Sequence, residues 1–99
     1  MLEVGKLYTC EEYHLMLYPD QETAYAEHAA TDRAADFTAE AGAYWSAYLS
    51  NRFGKPFSYT EKNIPLLVLN NKKNFYEVLA GDRKGWIIYK DWLNLKKIV

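Results

Sequence analysis

The chain changes character at Gly54-Lys55-Pro56, and this change constrains the fold more than any other feature. Ten of the eleven alanines lie before it, between residues 23 and 47, whereas the segment after it carries apolar stretches separated by polar turns. Glycine readily takes the left-handed conformation that ends a helix, and proline cannot continue one. We therefore predict helices up to this point and a β-rich segment after it.

The segment 20–54 is predicted to be helical. Asp20 follows Pro19 and suits the N-cap of a helix over 21–30. Thr31 or Asp32 suits the cap of a second helix, along which one apolar stripe recurs at helical spacing. The stripe consists of Ala34, Phe37, Ala41, Tyr44, Trp45, Tyr48 and Leu49. We assign Trp45 mainly to the core; any part of the stripe that the rest of the chain leaves uncovered is a contact face.

The segment 55–99 is predicted to form an antiparallel meander, because its apolar runs are bounded by turn signals. Strands are expected at 64–69, 75–79, 86–89 and 94–99, with turns at 70–74 and 81–85 and one helical turn at 90–93. Pro65 has no amide hydrogen and should lie at a strand start or a sheet edge. Two further strands are expected before the helices, at 4–8 and 13–18.

This order of elements resembles the C-terminal half of an SH3-like barrel. In that family a strand, the n-Src loop, a strand, the distal hairpin, a strand, one 3₁₀ turn and a final strand follow one another. Here they map onto Ile64–Leu69, Asn70–Asn74, Phe75–Leu79, Ala80–Lys84, Gly85–Tyr89, Lys90–Leu93 and Asn94–Val99. The run Gly85-Trp86-Ile87, followed by Asp91-Trp92-Leu93, is similar to the family's glycine-apolar-isoleucine strand and its aromatic-aliphatic pair.

The resemblance implies a single α+β domain, an SH3-like, strongly bent antiparallel β-barrel with a helical insertion in the long loop after the first strand. N-terminal strands would occupy 1–19, the helical insertion 20–54 and the meander 55–99. Small barrels of this kind host many unrelated activities, so the resemblance predicts a fold rather than a function. In general style the chain is also similar to the small accessory proteins of tailed bacteriophages.

The chain departs from the proline-reading members of the family at two places. Phe75-Tyr76 stands where those members have a tryptophan, and Ile88-Tyr89 stands where they have a proline before the 3₁₀ turn. Recognition of a polyproline helix needs an aromatic-walled groove. The resemblance therefore does not imply polyproline binding here.

The sequence offers no convincing catalytic constellation. Cys10 and His14 lie four residues apart, which on a strand is roughly 13 Å, and a Cys–His pair needs contact and a third, orienting group. A single cysteine supports neither a disulfide framework nor a cysteine-based zinc site, and no glycine pattern is typical of a phosphate loop. We expect no enzymatic activity, no metal site and no cofactor.

Charge is divided along the chain. Residues 1–43 hold nine acidic and two basic side chains, whereas residues 44–99 hold ten basic and four acidic ones. Either the acidic segment folds against the basic one, or a basic surface is kept for a polyanion.

Two functions therefore stay open: a protein-interaction module that binds a partner protein or a second copy through the aromatic helix face, and a nucleic-acid-binding barrel. Proteins bind single-stranded nucleic acid with basic side chains interleaved with aromatic rings, and the C-terminal half of the chain carries both. The predicted groove consists of Tyr8, Tyr76, Tyr89 and Trp92, with Lys72, Lys73, Arg83 and Lys84 at its rim. Trp86 is assigned mainly to the core.

The location is predicted from the absence of targeting segments in the sequence. No apolar run approaches the length of about 18 residues that a transmembrane helix needs. The start of the chain shows no basic region followed by an apolar stretch, as a secretory signal would. We expect a cytoplasmic protein, of an ordinary or of an infected cell, with no membrane contact.

Overall fold

A computed structural model describes residues 2–11, 14–30, 39–73, 75–88 and 95–98, without the side chains of 26–30 and 39–42. The two helices are α1 (Gln21–Ala30) and α2 (Ala39–Phe53). The strands are β1 (Leu7–Thr9), β2 (Met16–Leu17), β3 (Ser58–Tyr59), β4 (Leu66–Lys72), β5 (Phe75–Ala80), β6 (Arg83–Ile87) and β7 (Lys96–Lys97). This is a mostly antiparallel α+β fold, as expected.

Five strands form one antiparallel sheet in the order β6-β5-β4-β1-β7. The predicted meander is β4, β5 and β6, and the first strand pairs with both β4 and the last strand. β2 and β3 pair separately, with Met16 opposite Tyr59 and Leu17 opposite Ser58. Beyond β2, Tyr18 exchanges two backbone hydrogen bonds with Trp86, each 2.8 Å long, which joins this small ribbon to the edge of β6.

Residues 15–18 lie between two hydrophobic clusters. Leu15 and Leu17 belong to one cluster, with side chains of β1, β4 and β5, whereas Met16 and Tyr18 belong to the other, with side chains of α1, α2 and β6. Successive side chains of a strand point to opposite faces. A strand that is buried on both faces needs a continuous apolar run, and this explains the sequence of residues 15–18.

The helix ends are set by local signals. Asp20 caps α1, since its Oδ1 accepts a hydrogen bond of 2.8 Å from the amide of Thr23. Gly54 ends α2 with a φ of 66° and donates its amide to the carbonyl of Ser50 at 2.9 Å. Both predictions are confirmed. Thr31 and Asp32, proposed as caps of the second helix, lie outside the described residues.

Several predicted strand and turn bounds were wrong. The first strand begins at Leu7, because Gly5 takes a φ of 86° and turns the chain before it. β4 continues through Asn70-Asn71-Lys72, which pair with Glu77, Tyr76 and Phe75, so the turn that was expected at 70–74 begins only at Lys73. The next turn is likewise short, because β6 already begins at Arg83. The predicted helical turn at 90–93 lies outside the described residues.

The described ion pairs join the acidic and the basic halves of the chain. Asp20 binds Lys55 at 2.7 Å. The other two pairs are Lys96 with Glu11 at 3.4 Å and Lys97 with Glu3 at 3.6 Å. In each of these pairs the acid lies in 1–43 and the base in 44–99. This agrees with the interpretation in which the acidic segment folds against the basic one. Within the described part of the chain, no helix is long and apolar enough to cross a membrane.

Candidate functional site

The structure does not place the predicted groove tyrosines at a surface. Tyr8 is 5% exposed and Tyr76 is fully buried, and both belong to the cluster around Leu17. Their hydroxyls accept hydrogen bonds from the backbone amides of Glu3 (2.9 Å) and Leu2 (3.3 Å), respectively. A buried tyrosine needs such a partner for its hydroxyl. These two rings are core residues, whereas Tyr89 and Trp92 lie outside the described residues.

The predicted basic rim is two separate pairs. Lys72 and Lys73 lie where β4 turns into β5, and Arg83 and Lys84 lie at the start of β6. The six residues of β5 separate the two hairpin ends, a span of about 20 Å. Arg83 and Lys84 are also strand residues rather than loop residues, as Ala80 pairs directly with Arg83.

Helix α2 presents aromatic rings to solvent. Tyr44 is 66% exposed and Tyr48 is 45% exposed. Trp45 lies between them, edge-on to both, with ring centroids 5.7 Å from Tyr44 and 5.5 Å from Tyr48. On its other side Trp45 packs against the cluster that holds Leu49, so the described part of the predicted stripe is buried at Leu49 and exposed at Tyr44 and Tyr48. The stripe residues Ala34 and Phe37, and the side chain of Ala41, lie outside the described part of the chain.

We call the exposed side of this helix the α2 face. Its residues recur at helical spacing and are all exposed: Ala43, Tyr44, Ala47, Tyr48, Asn51 and Arg52. Two tyrosine rings therefore stand beside two alanines, with a guanidinium at the C-terminal end. Tyrosine and arginine are enriched at protein–protein contacts, and alanine lets a second backbone approach closely.

The C-terminal end of α2 is fixed to the rest of the fold. The hydroxyl of Ser50 donates to the carbonyl of Ser46 at 2.6 Å and accepts from the amide of Phe57 at 2.9 Å. Phe57 itself is buried against Tyr18, with ring centroids 5.6 Å apart. The rings of the α2 face are thus carried on an anchored helix.

A second surface feature is a groove of about 360 Å³ between the β3–β4 connection and the β5–β6 turn. We call it the hairpin groove. Its lining consists of Thr60, Glu61, Ile64, Pro65, Ala80, Gly81, Asp82 and Arg83. Sequence reasoning missed it because the two walls are brought together only by the pairing of β4 with β5. The glycine-containing turn at 81–82 was the one available signal.

Of the groups considered for catalysis, the Cys10 side chain is buried and the His14 ring is hydrogen-bonded to the backbone. Cys10 is 2% exposed, and its carbonyl accepts a hydrogen bond of 2.9 Å from the amide of Asn63. His14 lies 2.8 Å from the carbonyl of Thr60 through Nδ1, which therefore carries the hydrogen, because a carbonyl only accepts. Across the described ranges, no three His, Cys, Asp or Glu side chains are grouped closely enough to hold a metal ion.

Comparison with protein-family models, curated proteins and solved structures gives no match to this chain. The candidate functional surfaces of the described residues are therefore the α2 face and the hairpin groove.

Proposed function

We propose that this protein is a non-enzymatic interaction module that binds another polypeptide through the α2 face. The observation that carries the proposal is the exposure of Tyr44 and Tyr48 on a helix whose opposite side, at Trp45 and Leu49, is packed against the core. Apart from their edge contacts with the Trp45 ring, both tyrosine rings stay largely in water, although the helix has already buried its other side. Burial of those rings against a partner would gain about 25 cal/mol for each Å² of apolar surface removed from water.

We further propose that the frame carrying this face is an SH3-like small barrel. The support is the order of the strands β4 to β7, which follows the family's order of strands, and the place of β1 between β4 and β7. Both helices then belong to the long loop after the first strand, with β2 and β3 as the two arms of that loop.

The partner proposed for the α2 face is a second copy of the chain. Tyr44 and Arg52 stand eight residues apart, about 12 Å along the helix axis. In an antiparallel pair of α2 helices that crosses at Tyr48, each Arg52 faces Tyr44 of the other copy, where its guanidinium can lie over the ring. Ala43 and Ala47 leave room beside the tyrosine rings, so that the helix axes can lie within the usual separation of about 8–10 Å. One surface would thus supply both halves of a two-fold symmetric contact.

The test is the mass of the protein in solution by light scattering after size exclusion, from about 5 to about 500 µM, because self-association follows mass action. We expect the mass to rise towards that of a dimer with concentration. Tyr48→Glu places a charge at the centre of the face and should hold the protein at monomer mass. Val4→Glu, at a residue that is 56% exposed in the turn before β1, is the matched control and should dimerise normally.

A wild-type chain that stays monomeric at the highest concentration overturns self-association through α2. A dimer that Tyr48→Glu leaves intact places the interface elsewhere and overturns the assignment to this face. Far-ultraviolet circular dichroism of each variant separates loss of association from loss of fold.

The described residues do not favour the nucleic-acid alternative. A strand of nucleic acid is held by basic side chains that follow its backbone, with rings nearby for stacking. Here the two basic pairs stand at opposite ends of β5, and Tyr76, the ring between them, is fully buried.

A further inference from the structure

We infer that the hairpin groove is a binding site for the basic side chain, arginine or lysine, of a polypeptide segment. The groove is on the side of the fold formed by the β3–β4 connection and the β5–β6 turn. It shares no residue with the α2 face, so this inference does not depend on self-association.

The groove is assembled before any ligand arrives. One wall is tied to Cys10 and Leu15. The amide of Thr60 donates to the carbonyl of Leu15 at 2.8 Å, the Thr60 hydroxyl accepts from the Leu15 amide at 3.3 Å, and the amide of Asn63 donates to the carbonyl of Cys10. The other wall is the tight turn in which Gly81 takes a φ of 65°, as the first central position of a type II′ turn requires. A site that needs no reordering loses less free energy when it binds.

Arg83 joins the two walls. Its guanidinium donates to the carbonyl of Tyr59 and lies over the Tyr59 ring, 5.8 Å from the centroid. The positive charge at this end of the groove is therefore directed towards β3.

The net charge of the groove lining is negative, because it holds two carboxylates and one guanidinium, that of Arg83. Glu61 lies on one wall and Asp82 on the other, and both are exposed. Among the described residues, neither carboxylate has an ion-pair partner; the pairs that form involve other acids. Ile64, Pro65 and Ala80 supply an apolar lining between them. Two carboxylates above an apolar lining complement a side chain that has an aliphatic stem and a cationic end.

The size of the groove agrees with that class of ligand. A volume of about 360 Å³ is at the small end of the range in which ligand pockets are found. It accommodates one extended basic side chain with its backbone lying across the opening, rather than a nucleotide cofactor.

The test is a titration of the full-length, ¹⁵N-labelled protein with N-acetyl-arginine methylamide, followed by amide chemical shifts. We expect saturable shifts at Thr60, Glu61, Gly81 and Asp82, with a Kd of about 1–10 mM for so small a probe. The neutral isostere N-acetyl-citrulline methylamide has the same shape and should bind at least about threefold more weakly, as loss of a solvent-exposed charge contact implies.

Substitutions of the two carboxylates test whether they are the groups that bind the arginine probe. Glu61→Gln and Asp82→Asn should each weaken binding of the arginine probe about threefold and together about tenfold, since exposed charge pairs contribute modestly. Glu22→Gln removes an exposed carboxylate on α1 and is the matched control, with unchanged binding expected. The dispersion of the amide spectrum reports whether each variant is folded.

Equal binding of the citrulline and arginine probes would overturn the inference, as would undiminished binding by the folded double variant. So would preferential binding of N-acetyl-glutamate methylamide at these amides, which would make Arg83 the ligand-binding charge. Shifts confined to α2 would place the contact at the proposed interaction face and would also reject the groove.

Discussion

A β-carbon built at Gly85 would lie 2.7 Å from Cβ of Leu17 and 3.0 Å from the carbonyl oxygen of Tyr18. Neither atom is at the flexible end of a side chain, so an added methyl must push β6 away from the backbone at Leu17 and Tyr18. We expect Gly85→Ala to lower the free energy of unfolding by about 2–3 kcal/mol, as measured by urea denaturation followed by tryptophan fluorescence.

Gly54→Ala is the comparison for Gly85→Ala. Gly54 has open space around its β-carbon position and a φ of 66°, so alanine there meets backbone strain alone, at a cost of about 1 kcal/mol. If both substitutions cost the same, the close approach at Gly85 does not limit the fold.

Asp20 links the stability of α1 to pH. Partial burial by itself would raise the pKa of the Asp20 carboxyl, but the hydrogen bonds from Lys55 and Thr23 outweigh it, so the pKa lies below its ordinary value of 3.8. A carboxyl whose pKa is lowered by folding stabilises the protein above the unfolded pKa, and this contribution is lost as the pH falls through the folded pKa.

We expect Asp20→Ala to cost about 1 kcal/mol at neutral pH, because it removes an N-cap. The difference from wild type should shrink as the pH falls below 3.8, and Asp20→Asn, which keeps a capping oxygen, should cost less than alanine. Urea denaturation at a series of pH values measures both effects. A cost of Asp20→Ala that is independent of pH would show that the charge of the carboxylate contributes nothing.

The hydroxyl of Ser50 joins the C-terminal end of α2 to the segment that follows it, at Phe57. Ser50→Ala leaves the amide of Phe57 without its 2.9 Å acceptor; an unpaired, partly buried donor costs about 1–2 kcal/mol. Urea denaturation should show this loss, and hydrogen exchange should show faster exchange of the Phe57 amide. Ser46→Ala is the control, because the Ser46 hydroxyl donates only to Ala43 within the same helix. Equal effects of the two substitutions would contradict the anchoring role.

The helices show which elements a sequence specifies locally. The start of α1 and the end of α2 follow from Asp20 and Gly54, whose signals act within a few residues, and these were predicted correctly. The end of β4 was not, because Asn70 and Asn71 are turn-forming residues that here pair with β5. Their conformation is decided by a partner strand and not by their own preferences.

Contacts between distant parts of the chain also decide which residues belong to the candidate site. Tyr8 and Tyr76 look like contact residues in sequence, yet the amides of Glu3 and Leu2 satisfy their hydroxyls inside the core. Only the packed fold reveals those partners. The hairpin groove was likewise hidden, since its two walls are some twenty residues apart in sequence.

The attraction between the acidic and the basic halves of the chain can be tested at the ion pair of Glu3 with Lys97. Glu3→Lys should place two lysines opposite each other where Glu3 and Lys97 now lie 3.6 Å apart. We expect a loss of about 0.5 kcal/mol at low salt, because both side chains are half exposed. Glu3→Lys combined with Lys97→Glu should recover that loss, and about 1 M NaCl should abolish the difference. Urea denaturation of the three proteins measures it; a double variant no more stable than the single one would contradict the pairing.

The pairing of Met16 with Tyr59 and of Leu17 with Ser58 brings the two ends of the helical segment side by side, about 5 Å apart. The helical segment therefore leaves the β structure at β2 and returns to it at the neighbouring strand, β3. The pairing of β2 with β3 does not depend on the length of the chain between them, whereas Ala24 and Leu49 join the helices to the cluster that contains Trp86. The exposed positions of α2 can therefore change without disturbing the sheet, provided that the buried side chains of Ala24 and Leu49 are kept.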